Sequence, residues 1–302
     1  MISLRQHAIS LVAVFLALAV GVVLGSGFVA DRIDSGNDSS SSLRSDNDTL
    51  SAQVNAADSF NDAISPRLLR GLLANRSVLV VTAPGAAEAD IAAVKTSLNQ
   101  SGATFAGQIG LTDELVGDAS AQKLTSIIDQ AIPSGASLRT ELTDSGGRVG
   151  DLLGLLLQRK VDAPGGPSDT DISAGLQALR QGGFITYVDN AVNPAQLAVV
   201  VTGGSLGDNA GARGQLIARF AASFGARGSG TVMAGRSGSA DGSSPIGVLR
   251  ADASLSRVVA SVDNVDQSTG RIVTALALAD AQRGRPGAYG SGPGASAIAP
   301  AT

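Results

Sequence analysis

Residues Ala8 to Ala30 carry no charge and lie between His7 and Asp31. As a helix, this run spans about 34 Å, enough for the ~30 Å hydrocarbon core of a bilayer with some tilt. Whatever follows such a segment must fold on one side of a membrane. The near flank carries Arg5 and His7, and the far flank carries Asp31, Asp34 and Asp38. The positive-inside rule then keeps the N-terminus cytoplasmic and exports the rest. The apolar run exceeds a typical signal-peptide core, which favours a retained single-pass anchor. Cleavage after Gly27, with small residues at Gly25 and Gly27, is the alternative. Ala13, Ala17, Gly21 and Gly25 recur every four residues and form a strip of small side chains. Such a strip lets two helices approach closely, so this face is a candidate dimerisation surface; the abundance of Ala and Gly in membrane helices accounts for it equally well.

The chain divides into four parts: anchor 1–30, polar linker and short helical stalk 31–75, exported domain 76–283, and tail 284–302. In the stalk, Leu43, Leu50 and Ala57 fall seven apart, but Asp46 and Gln53 occupy companion positions. Two heptads make a weakly associating coiled coil at best. A second amphipathic piece, Ile64 to Leu73, is expected to dock on the domain, with Pro66 in its first turn. The tail is Gly, Pro, Ser and Ala without periodicity and reads as disordered.

From Ser77 onward, strands and helices alternate. Ser77–Thr82 and Leu197–Thr202 are continuous apolar runs, as expected of strands covered on both faces. Further strands are expected at Ala103–Ile109, Phe184–Val188 and Gly230–Ala234. Helices are expected at Ala86–Gln100, Ala119–Ala131, Arg148–Lys160, Ala210–Phe224 and Gly270–Gln282. Ser168 to Asp171 resembles a capping box opening another. Ile246–Leu249 and Val258–Val262 are apolar runs. The pattern predicts a layered, Rossmann-like α/β domain with a mainly parallel sheet.

Composition excludes much chemistry. Beyond residue 30 there are 21 bases against 26 acids, a poor balance for nucleic acid, and no basic cluster is seen. There is no Cys, and the single His is His7. A Ser–His–Asp or Cys–His arrangement is therefore excluded from the exported part, which reads as non-enzymatic. Gly235-Arg236-Ser237-Gly238-Ser239 lacks the last Gly of a nucleophile elbow. Asp263-Asn264-Val265-Asp266 offers hard oxygens without EF-hand spacing and reads as solvated loop carboxylates. Gly203, Gly204 and Gly207 follow a strand and precede a helix; their backbone could receive an anion, or simply make a tight turn. Copper prefers Cys, Met or His. Beyond the start of the anchor only Met233 remains, in a strand expected to be buried. No cofactor is evident.

The run Met1-Ile2-Ser3-Leu4-Arg5-Gln6-His7-Ala8, continuing to Leu24-Gly25-Ser26-Gly27, resembles the start of the mycobacterial copper transport protein B (MctB) family. Gly183 to Tyr187, Val199 to Gly204, Arg227 to Arg236 and Ser261 to Asp266 are similar to it as well. The resemblance implies an actinobacterial envelope protein of copper transport and homeostasis, with copper as a transported ion and the outer membrane as an implied location. It extends to SteB, a cell-separation protein, which implies a SteA-like partner and a scaffold role as the alternative function. A homo-oligomer, a dimer through the anchor, is expected. A β-barrel pore is disfavoured, because the chain has helical periods and only seven Phe and two Tyr to form aromatic girdles.

Overall fold

The computed structural model describes residues 42–117, 120–163, 165–207 and 210–301. The expected membrane anchor and its small-residue face, Ala13, Ala17, Gly21 and Gly25, lie outside the described residues. Among the described residues no helix is long and apolar enough to cross a membrane.

Among the described residues seven strands form one open sheet. They are β1 (Ser77–Thr82), β2 (Thr104–Leu111), β3 (Ile185–Thr186), β4 (Leu197–Thr202), β5 (Gly230–Gly235), β6 (Val259–Val262) and β7 (Ala288–Tyr289). The strand order is β3-β2-β1-β4-β5-β6-β7. Every pairing is parallel except β2 with the two-residue edge strand β3. The layered α/β reading with a mainly parallel sheet therefore holds. The apolar runs work as anticipated. Val78 and Val80 of β1 face one core layer with Leu197, Val199 and Val201 of β4. Leu79 and Val81, with Ala198 and Val200, face the other. Strands buried on both faces need no polar alternation.

A helix, α1, occupies 42–69. Its residues from Asp58 on belong to the same compact unit as the sheet. The other helices are α2 (Glu88–Gln100), α3 (Asp113–Val116), α4 (Ala121–Ala131), α5 (Ser145–Leu157), α6 (Asp169–Gln181), α7 (Arg213–Gly225), α8 (Pro245–Ala251), α9 (Ala253–Ser256) and α10 (Ser268–Gln282). The capping box at Ser168 and Asp171 opens α6. The run at Ile246–Leu249 is the interior of α8, with Pro245 in its first turn.

Two expectations are corrected. Pro66 does not begin a second helix: α1 runs through it to 69. The expected docking is present, because Leu69 is fully buried against Ile272 and Ala275 of α10. Two carboxylates on α1 also receive the start of α10. Asp58 accepts the Ser268 amide at 3.1 Å and Asp62 accepts the Ser268 hydroxyl. Gln267, the cap position of α10, provides no side-chain cap of its own, so acids borrowed from α1 answer the positive end of the helix.

The second correction concerns the tail, expected to be disordered from Gly284. Instead Ala288 and Tyr289 pair with Ser261 and Val262, and the Gly290 amide bonds Ala297 O. Side-chain periodicity gave no sign of this, because backbone bonds and a buried ion pair hold the segment. Arg250 and Asp263 are 4% and 2% exposed and pair at 2.6 Å. Asp263 also accepts the amides of Ser291 and Gly292 at 2.9 and 3.0 Å. Arg250 reaches Tyr289 O and Pro293 O at 2.7 and 2.8 Å.

On the opposite face α5 and α7 pack with their backbones almost touching. Gly146, Gly150 and Gly154 recur every fourth residue along α5. A Cβ added at these positions would lie 2.4 Å from Leu216 O, 2.4 Å from Phe220 O and 2.9 Å from Phe224 O of α7. Beside this seam sits Asp151, whose side chain is fully buried. It accepts Arg227 Nε and Nη2 at 2.7 and 2.8 Å and Arg139 Nε at 2.9 Å. Burial pushes its pKa up, but the hydrogen bonds from Arg227 and Arg139 outweigh that and hold the carboxyl below its ordinary range.

Candidate functional site at the carboxyl edge of the sheet

In open α/β sheets, ligands enter outside the carboxyl ends of the strands, where the strand order reverses. Here that point lies between β1 and β4. The Gly203–Gly207 turn, singled out from sequence, follows β4 directly at this edge. Its glycines serve close approach. A Cβ on Gly203 would stand 2.7 Å from Gly85 O in the loop after β1, and one on Gly204 would stand 3.0 Å from Ser237 O after β5. Gly207 adopts φ +66°. Two amides of the turn are bonded within the protein: Leu206 N donates to Ser244 Oγ at 3.1 Å and Gly207 N to Ser205 Oγ at 3.3 Å.

Around this junction the loops bring together charges far apart in sequence. Arg236 Nε stands 3.0 Å from Asp90 Oδ2 of α2, although that oxygen has no aligned hydrogen bond. The contact is an ion pair without a directional bond. Burial pushes Asp90 up, Arg236 pulls it down, Asp266 pushes it up and Arg271 pulls it down; the carboxyl ends above its ordinary range. Ser237 donates its amide and hydroxyl to Asp266 at 3.0 to 3.2 Å. Arg271 donates to Val265 O and Asp266 O at 3.1 and 2.8 Å. Two acids and two bases thus tie the loops after β5 and β6 to helices α2 and α10.

The segment at Asp263–Asp266 is not a patch of solvated carboxylates. Asp263 faces Arg250 and the tail, while Asp266 faces Ser237. Their oxygens are committed to different partners and do not converge on an ion. Among the described residues no three of His, Cys, Asp or Glu come together to hold a metal. Met233 is fully buried on β5, as expected. Sequence reasoning missed Asp90, Arg236 and Arg271, because nothing in the spacing of those residues links them before the strands are ordered.

Comparison with known proteins bears on the whole chain. Residues 1–300 match the family described as copper transport outer membrane protein, MctB. The copper transporter MctB of Mycobacterium tuberculosis is 42% identical over 317 residues, covering 99% of each chain. The copper transporter MctB of Mycobacterium leprae is 44% identical over 319 residues, again covering 99% of each.

Proposed function

This chain belongs to the MctB family of copper transport outer membrane proteins, and on that premise we propose that it serves copper efflux and copper homeostasis at the cell envelope, with the copper ion as cargo. The end-to-end match with copper transporters carries the reading. The donor chemistry of the body narrows it. Cu(I) seeks thiolate or thioether and Cu(II) takes imidazole. The chain has no Cys and one His at position 7, and Met233 has no solvent-facing surface. The α/β body therefore positions the assembly and leaves ion ligation to other parts. It is non-catalytic in this reading, since Ser237 meets a carboxylate and the described residues include no imidazole. Deleting the gene is expected to raise cellular copper and copper sensitivity, read by elemental analysis of washed cells. Unaltered copper content would overturn the proposal.

The finer reading is a dimer held by a single membrane span, with the N-terminus cytoplasmic and the body exported. The small residues Ala13, Ala17, Gly21 and Gly25 support it. So do Leu43, Leu50 and Val54, large apolar side chains that α1 leaves 68, 60 and 53% exposed. Replacing Gly21 and Gly25 by Ile should abolish self-association in a membrane two-hybrid assay, and an unchanged signal would refute pairing through that face.

A further inference from the structure

This acidic chain gathers cations in one place. Arg139, Arg159, Lys160 and Arg227 line a single cavity of 360 Å³ beside the α5–α7 seam, within the usual size of small-ligand sites. Arg139 and Arg227 are held in fixed orientation by one buried acid, Asp151, so the trio keeps a net positive charge. Glu141 acts on Arg227 and Asp169 on Arg159 from farther away.

Arg159 has no carboxylate within ion-pair reach among the described residues. Its described hydrogen bonds run from Nη1 to the main-chain oxygens of Gln158 and Leu155, at 2.8 and 3.4 Å. Burial pushes its pKa down, as expected of a cation short of a counter-charge. Lys160, beside it, forms no ion pair among the described residues either. Gln158 is 4% exposed, yet neither end of its amide has a hydrogen-bond partner among the described residues. The cavity near Tyr187 differs, because its Arg180 is already paired with Asp189 at 2.5 Å.

The geometry points to a binding site for a phosphate-bearing anion in this cavity, held by Arg159 and Lys160 and backed by the Asp151-fixed guanidinium groups of Arg139 and Arg227. Planar guanidinium groups match phosphate oxygens in pairs, and their bonds to an anion are the strong, charge-assisted kind. The excess of positive charge selects a multiply charged group over a lone carboxylate. The headgroup of an anionic lipid and a soluble phosphate compound share this chemistry. The site does not depend on the copper reading.

The test is calorimetric titration of the full chain in a non-ionic detergent, with inorganic pyrophosphate in one arm and dihexanoyl phosphatidic acid in the other. Arg159 and Lys160 make no contact with Asp151, so the double variant Arg159→Gln, Lys160→Gln leaves the buried network in place. It should bind about tenfold more weakly or worse, as expected from losing charge-assisted bonds. Arg159→Lys, which keeps the charge but loses the fork, should fall between. Tighter binding of the lipid analogue identifies a headgroup, and tighter pyrophosphate binding identifies a soluble compound. No saturable binding of either by the native chain, or equal binding by the double variant, overturns the site.

Discussion

Arg250→Met is expected to cost about 3–5 kcal/mol of stability, the usual penalty for leaving a buried charge without its partner. Both members of the pair are almost wholly enclosed. Methionine fills much of the arginine stem but donates nothing to Asp263, Ser261, Tyr289 or Pro293, which all accept from Arg250. Asp263 would retain only the amides of Ser291 and Gly292, and the tail would lose the side chain that ties it to α8. Two readouts should move together. The denaturant midpoint should drop, and limited proteolysis should cut within 284–301, where the native chain is expected to resist. Adding Asp263→Asn should recover part of the loss, because it removes the unpaired buried charge and keeps an oxygen to accept one of the Ser291 and Gly292 amides. A loss below about 1 kcal/mol, or an unchanged cleavage pattern, would show that the pair does not secure the tail.

Gly150→Ala separates two opposed effects. Helix propensity alone favours alanine over an interior glycine by about 1 kcal/mol. Sterics oppose it: the new methyl would lie 2.4 Å from Phe220 O and 3.0 Å from Phe220 Cα. Those atoms belong to the backbone of α7 and cannot swing away as a side-chain tip can. Phe220 and Phe224 are fully buried and stacked at 5.6 Å between centroids, so α7 has little room to retreat. Overpacking of this kind costs about 1–3 kcal/mol. The variant is therefore expected to be less stable than the native chain in chemical denaturation, and Gly150→Val more so. A stabilised Gly150→Ala would mean that the seam is looser than its geometry.

Residues that act through burial on a regular period could be read in advance, and residues that act in pairs could not. The runs Val78–Val81 and Leu197–Val201 gave the central strands, because a strand enclosed on both faces must be apolar throughout. Leu152, Leu153 and Leu156 share the buried face of α5, yet the glycines among them acquire meaning only when α7 lies against them. Ile246–Leu249 is too short to reveal its period; the overlooked signal is Pro245, which suits the first turn of a helix. Gly203 and Gly204 were found at a strand-to-helix turn, but the neighbours they admit, Gly85 and Ser237, come from two other loops. Asp90 with Arg236, and Arg250 with Asp263, are joined only by the order of the strands. The tail carries no apolar rhythm, because main-chain bonds and the buried Arg250–Asp263 pair hold it in place.

The order in which strands enter the sheet bears on how the chain is made. From β1 outward through β4, β5, β6 and β7, each strand takes its place beside the one that precedes it in that series. A polypeptide delivered N-terminus first can therefore lay down this half of the sheet one row at a time, without reopening rows already set. The last row differs, since Asp263 waits for Ser291 and Gly292. Completion of the newest edge comes only when residues 288–292 are at hand, so a chain stopped short of them would present an unfinished, adhesive border to its neighbours.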